Sequence, residues 1–340
     1  MKAVCFKAPY EIEIQEKDIP TLKDDEILIK VSAVAICGSD IHAYHGRQAL
    51  FIYPRVIGHE ICGTVEKINN PSSSFQLGDK VVVIPYSHCG NCIACKKGKP
   101  GCCEELKVMG VHVDGGLAEY CAIKECYLLK VPNTIDSTSL SLVEPLAISA
   151  HAVHNAKVQA GENVLVMGIG PIGMGAAEIS KTYNANVILA DISEERRAFA
   201  KKTLDYSNVL NPLDETFKQD LATLTKGNMP DTIIDATGNG KSMSSIFEYL
   251  SYGGKVVYVG ISSTPLTINH VEFHKRQTEL YSSRAATRYD FEYVINCIHE
   301  GTLNPNLFIT DIITLDANIK DEFKRLMDKS SAMFKGIIAL

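Results

Sequence analysis

The stretch Gly168-Ile-Gly170-Pro171-Ile172-Gly173 follows directly on the apolar run Val-Leu-Val-Met and opens into a small-residue segment at 174–181. Few folds use three glycines at this spacing between a strand and a helix. Gly168 permits a tight turn out of the strand. Gly170 lets a pyrophosphate approach the backbone, and Gly173 lets helix and strand pack closely. Pro171 and Ile172 complete the fingerprint as cofactor-binding candidates, and the first N–H groups of the helix expected from Met174 lack partners within it and are suited to an anion. Asp191 lies 23 residues after Gly168, at the end of the next apolar run. A carboxylate there accepts hydrogen bonds from ribose hydroxyls and repels a 2′-phosphate, so the expected cofactor is NAD rather than NADP. Arg196 is a candidate to flank the adenosine.

The surrounding chain agrees with this unit. Apolar strand-like runs at Asn163–Met167, Asn186–Ala190, 232–234 and 255–259 alternate with helical stretches. That alternation predicts an α/β fold with a Rossmann-type, doubly wound parallel sheet. The first 130 residues read differently, with short β-branched runs at 27–34 and 80–84 and turn signals at Asn69-Asn70-Pro71 and Gly78-Asp79. After about residue 280 the pattern is mixed again and ends in the apolar run 336–340. A chain of 340 residues is expected to form about two domains.

Bulk properties exclude several classes. With 34 Lys plus Arg against 40 Asp plus Glu, the net charge of −6 gives no basic face for nucleic acid. The longest apolar stretch, 164–177, is broken by four glycines and a proline and is too short for a membrane span. Glu11 and Glu13 arrive before a secretory apolar segment could form, so a cytoplasmic location is expected. In such a compartment, five of the eleven cysteines crowding between Cys89 and Cys103 read as metal ligands rather than disulfides. Cys89, Cys92 and Cys95, with Cys102 or Cys103 as the fourth, describe a closed structural zinc site. An iron–sulfur cluster is the rival, with a spacing less suited to it. Cys5, Cys62, Cys121, Cys126 and Cys297 are expected to be buried apolar residues.

Two further segments, Cys37-Gly-Ser39-Asp40-Ile-His42 and Gly58-His59-Glu60, supply a thiolate, an imidazole and a carboxylate. These are the ligand types of an open zinc site. Together with the four-cysteine loop, Glu144-Pro145, the glycine fingerprint and Asp235-Ala-Thr-Gly238, they run the length of the chain. By these motifs the chain resembles the zinc-containing medium-chain alcohol and sorbitol dehydrogenases. The resemblance implies a mainly β, GroES-like catalytic domain over 1–150, the NAD-binding domain over 151–284, and a return to the catalytic domain over 285–340. It implies Cys37 and His59 as catalytic zinc ligands, Glu60 as a carboxylate able to enter the zinc shell, Asp40 as the orienter of His59, and Cys103 as the fourth structural ligand.

The third catalytic ligand separates branches of that family. Simple alcohol dehydrogenases often use a cysteine there, but none occurs here between Cys126 and Cys297. Glu144, in Leu-Val-Glu-Pro-Leu, resembles the polyol branch. The segments 53–60 and 110–116 resemble its sugar-acid-oxidising members. The family's chemistry implies a zinc-activated secondary alcohol, hydride transfer to NAD, and a proton path through Ser39, the cofactor ribose and His42. Tyr44, His112 and Arg284 are candidate contacts for a small polyhydroxylated substrate. A homodimer or homotetramer is expected. One departure stands at Asn69-Asn70-Pro71, where relatives often carry a glycine; asparagine also tolerates left-handed turns, so the loop's shape and not the chemistry is affected.

Overall fold

A computed structural model of the chain describes residues 1–316, 318–328 and 333–340. These divide into two compact units, Met1–Glu144 with Thr287–Leu340, and Pro145–Ala286.

The first unit is built on a seven-stranded sheet. Its long central strand, Glu26–Ala35, pairs antiparallel with Glu60–Ile68 on one side and with Gly336–Ala339 on the other. Lys80–Val83 and Leu128–Lys130 extend one side, Asp311–Thr314 the other, and Tyr120–Lys124 also pairs with the central strand. The β-branched runs read from the sequence fall in these strands. Their buried faces join Phe6, Ile57, Leu117 and Phe323 in one core. Full burial of a side chain of this size is worth about 1.5–3 kcal/mol. A second, three-stranded sheet pairs Lys2–Ala8 with Glu11–Glu16 and Arg55–Val56.

Two registers position the site. Ala35 lies opposite Glu60 on one flank and opposite Ile337 on the other. The chain's last strand is thereby brought beside the segment that follows Ala35. Gly58 turns with φ 96°, and a Cβ there would stand 2.9 Å from Val34 and 3.0 Å from the Leu117 nitrogen. Only glycine allows this approach, which sets His59 at the mouth of its strand.

The second unit is a six-stranded sheet in which every pairing is parallel. Its strand order is Val209–Leu210, Asn186–Ala190, Asn163–Met167, Thr232–Asp235, Lys255–Tyr258 and Glu279–Ser282. The four inner strands are the apolar runs of the sequence. The two edge strands carried no such signal: one is two residues long, and the other is largely exposed. Helix Pro171–Thr182 follows the first strand, as the glycine pattern requires, and begins three residues earlier than its small-residue run.

Cysteine burial follows expectation at Cys5, Cys62, Cys121 and Cys297, but Cys126 is exposed. It sits in the single turn Glu125–Tyr127 between two strands, where Arg288 donates to its carbonyl at 2.6 Å. No helix among the described residues is long and apolar enough to cross a membrane.

Candidate metal and dinucleotide sites

The end of the central strand feeds Ile36 and Cys37 into the short helix Gly38–Tyr44. Cys37 is its N-cap, and Asp40 reaches back so that its Oδ2 accepts the Cys37 N–H at 3.0 Å. This reciprocal cap fixes the thiol's approach. On the neighbouring strand, His59 and Glu60 stand beside it. Ligand atoms of Cys37, His59 and Glu60 all lie within 4.8 Å of one another.

Burial makes this group chemically unusual. His59 is 5% exposed and Glu60 0%. Burial alone would lower the His59 pKa, but the facing Cys37 and Asp40 charges outweigh it and hold the imidazole well above its ordinary value. The site thus favours positive charge where the ring stands. His59 Nδ1 is buried without a hydrogen-bond partner among the described residues, 4.0 Å from Asp40 Oδ1. A thiol, an orphaned imidazole nitrogen and buried carboxylates together fit a divalent zinc ion.

Glu144, in the first turn of helix Val143–Ala156, is buried but lies outside that group of three. Its Oε1 accepts the hydroxyl of buried Tyr86. Burial pushes the Glu144 carboxyl up to about 7, with His59 acting in the opposite direction. Glu60 is engaged differently. Lys335 Nζ stands 2.6 Å from its Oε1 and 2.5 Å from its Oε2. Neither Lys335 nor Tyr86 carried any sequence signal. Lys335 is an isolated lysine far along the chain from Glu60, and only the shared register about Ala35 brings the two together.

The remaining candidates separate. Ser39 Oγ is buried and lacks a hydrogen-bond partner among the described residues. His42 is exposed on the same helix, and partial desolvation, then Arg47, lower its pKa. Tyr44 is buried and packs against Phe6 and Tyr10. His112 Nδ1 accepts the Val108 N–H at 3.0 Å. Arg284 belongs to the second unit and is exposed.

A second cluster gathers Cys89, Cys92, Cys95 and Cys103, again with all ligand atoms within 4.8 Å. Exposed Cys102 lies outside it. Sulfur atoms of Cys92 and Cys95, and of Cys89 and Cys103, approach to 3.5 Å as free thiols, without a disulfide. Backbone N–H groups of Asn91 and Cys92 donate to Cys89 Sγ at 3.4 Å, and that of Glu105 to Cys103 Sγ at 3.3 Å. Such donors stabilise thiolates, and four of them with no open position suit a structural zinc ion.

In the second unit, Gly168 has φ 93°, and a Cβ on Gly173 would overlap the Gly168 carbonyl oxygen. Gly170 is the helix N-cap, Pro171 occupies the first turn, and Ile172 accepts Ser149 Oγ at 2.9 Å. A Cβ on Gly170 would have only Arg196 within 4 Å, so that face of the loop is open. Asp191 accepts the N–H of Ile169 at 2.7 Å and of Ser193 at 2.8 Å, and Arg196 lies 3.7 Å from it. A cavity of about 560 Å³ opens here, lined by Gly168, Asp191, Ile192, Arg196, Leu213 and Thr237.

Comparison with known proteins shows the family. Residues 23–133 match the alcohol dehydrogenase GroES-like domain, and residues 171–300 match the zinc-binding dehydrogenase family. L-galactonate-5-dehydrogenase of Escherichia coli K12 is 39% identical over 99% of this chain and 98% of its own. 2-Dehydro-3-deoxy-L-galactonate 5-dehydrogenase of Pseudoalteromonas atlantica is 33% identical over 92% and 91%. The crystal structure of the alcohol dehydrogenase RspB from Escherichia coli CFT073 with NADH superposes with a TM-score of 0.91 at 31% identity, covering 100% of this chain and 99% of that one. The chain therefore belongs to the zinc-type alcohol dehydrogenase family. It is an NAD-dependent zinc oxidoreductase acting on CH–OH groups.

Proposed function

We propose that this enzyme oxidises a secondary alcohol of a sugar acid, with L-galactonate the first substrate to test. The observation that carries the reading is the whole-length similarity to two proteins named as galactonate-type 5-dehydrogenases. The presence of Glu144 where simple alcohol dehydrogenases often use cysteine supports it.

In this reading Cys37, His59 and Glu144 hold the catalytic zinc, and Glu60 stands in reserve. Asp40 orients His59, in keeping with the need of a metal-bound imidazole for a partner on its other nitrogen. The bound ion supplies Lewis acidity, which lowers the pKa of the substrate hydroxyl. Ser39 and His42 carry the released proton to water, since a hydroxyl both accepts and donates and a histidine titrates near neutrality. Cys89, Cys92, Cys95 and Cys103 hold the structural zinc. The backbone of Gly168, Gly170, Pro171, Ile172 and Gly173 faces the NAD pyrophosphate, Asp191 takes the ribose hydroxyls, and Arg196 flanks the adenosine. His112 and Arg284 are the proposed substrate contacts, the guanidinium being suited to a carboxylate. The working form is a cytoplasmic homodimer or homotetramer, which size-exclusion chromatography with light scattering checks.

A panel of aldonates, polyols, L-threonine and 2,3-butanediol, each with NAD, tests the substrate. Higher kcat/KM for a diol or for threonine than for any aldonate would overturn the sugar-acid reading. Ser39→Ala is expected to keep both zinc ions yet lower kcat about 10²–10⁴-fold, the worth of a positioned proton carrier. Unchanged kcat would remove the proton path and leave the zinc reading standing. Asp191→Ala is expected to shrink the preference for NAD over NADP, read as the ratio of the two kcat/KM values. Equal use of NADP by the parent enzyme would refute the role given to Asp191.

A further inference from the structure

A glycine outside the fingerprint marks a second helix that supports the loop. Gly175 lies two residues beyond Gly173, and its φ is not left-handed, so turn geometry does not call for it. Packing does. A Cβ on Gly175 would overlap Ser149 Oγ and would stand 2.9 Å from Ser149 Cβ and 3.1 Å from Leu146 Cδ2. Helix Pro171–Thr182 is therefore pressed against helix Val143–Ala156 at Ser149, which is 0% exposed.

This contact delivers a hydroxyl to one particular peptide group. Ser149 Oγ donates to the Ile172 carbonyl at 2.9 Å and to the Pro145 carbonyl of its own helix at 3.0 Å. A serine hydroxyl has one proton, so a single donor serves both acceptors, and only the bond to Ile172 joins the two helices. The Ile172 carbonyl and the Gly173 N–H are the two ends of one planar peptide. That N–H lies in the first turn, where helix donors have no intrahelical partner, and the N-cap Gly170 has no side chain to accept it. A hydrogen bond received at the carbonyl polarises the peptide and strengthens donation at its N–H. Gly173 itself is pinned, since a Cβ there would overlap the Gly168 oxygen. The peptide is thus held between Ser149 and Gly168, in the turn where an anion would bind.

We propose that Ser149 is a positioning residue for the cofactor's pyrophosphate, fixing and polarising through the Ile172 carbonyl the peptide whose N–H, at Gly173, meets a phosphate. This rests on the reading of Gly168 to Gly173 as the pyrophosphate loop. Ser149 sits on another helix and touches no cofactor atom in this scheme. Its loss should therefore weaken ligands that carry the pyrophosphate and spare adenosine, whose place is the cavity beside Asp191.

Displacement of fluorescent NADH from the enzyme, with the NADH Kd of each variant measured first, gives the affinities of adenosine, ADP-ribose and NAD. In Ser149→Ala both carbonyls keep the N–H four residues on in their own helix, so no acceptor is stranded and the fold should survive. Affinity for ADP-ribose and for NAD is expected to fall about fivefold, the worth of one hydrogen bond. Adenosine should bind as it does to the parent. The KM for NAD should rise while kcat at saturating NAD holds. An equal loss for adenosine and ADP-ribose would show general loosening of the unit and overturn the proposal. Unchanged affinity for ADP-ribose would overturn it too. If Ser149→Ala does not fold, Ser149→Cys, which keeps a weaker donor, carries the same comparison. Failure of the loop reading itself is seen separately, in the parent enzyme, as ADP-ribose binding no more tightly than adenosine.

Discussion

His59→Ala is expected to remove one of two zinc ions per chain and to lower kcat by about 10³-fold or more. His59 is proposed as the sole imidazole donor of the catalytic ion, with Asp40 beside its Nδ1 at 4.0 Å. A metal acting as Lewis acid stabilises the developing charge by several kcal/mol, and about 4 kcal/mol corresponds to roughly 10³ in rate. The residual site would retain Cys37 and the buried carboxylates, without the imidazole that completes the donor set. Metal content by mass spectrometry and kcat on the best substrate are the two measurements. Full activity, or two zinc ions retained, would contradict the assignment. The fold should survive, because the core of this unit is apolar and lies along the sheet rather than at its mouth.

Cys92→Ser is expected to act the other way round, on stability before activity. The loop from Cys89 to Cys103 has one buried residue among its four ligands and otherwise offers exposed or half-buried positions. Such a segment has no core to order it, so its structure depends on the ion. The variant should lose one zinc ion and become open to proteolysis between residues 89 and 103. The melting temperature should fall on the order of 10 °C, as a few kcal/mol would produce in domains of this size. Calorimetry and limited digestion check this. An unaltered melting curve with one ion missing would mean that the metal there is dispensable to the fold. Because the two variants remove different ions, each is the control for the other.

Much of this protein is determined within short stretches of sequence. The glycine fingerprint works through backbone geometry and a helix terminus, both local, and it appears in the structure as the strand, turn and helix it implies. The four-cysteine loop is local in the same sense, because fourteen residues of chain can bring those sulfurs together whatever the rest does. Buried inner strands are apolar because both faces are covered, so their runs stand out; the edge strands Val209–Leu210 and Glu279–Ser282 do not.

Tertiary structure decided the rest, chiefly which partner each chemical group receives. Tyr44 reads as a candidate contact, and it is the helix phase that packs its ring against Phe6. Cys126 reads as one more buried thiol, yet it falls on an exposed turn. The partners of the two glutamates depend on contacts between distant segments. Glu60 meets Lys335 across 275 residues of chain, and Glu144 meets Tyr86 across 58. A strand pairing shifted by one residue would face every side chain the other way. The residues able to bind metal were therefore visible in the sequence, while the partners that hold two of them were set by sheet register and burial, which no local pattern records.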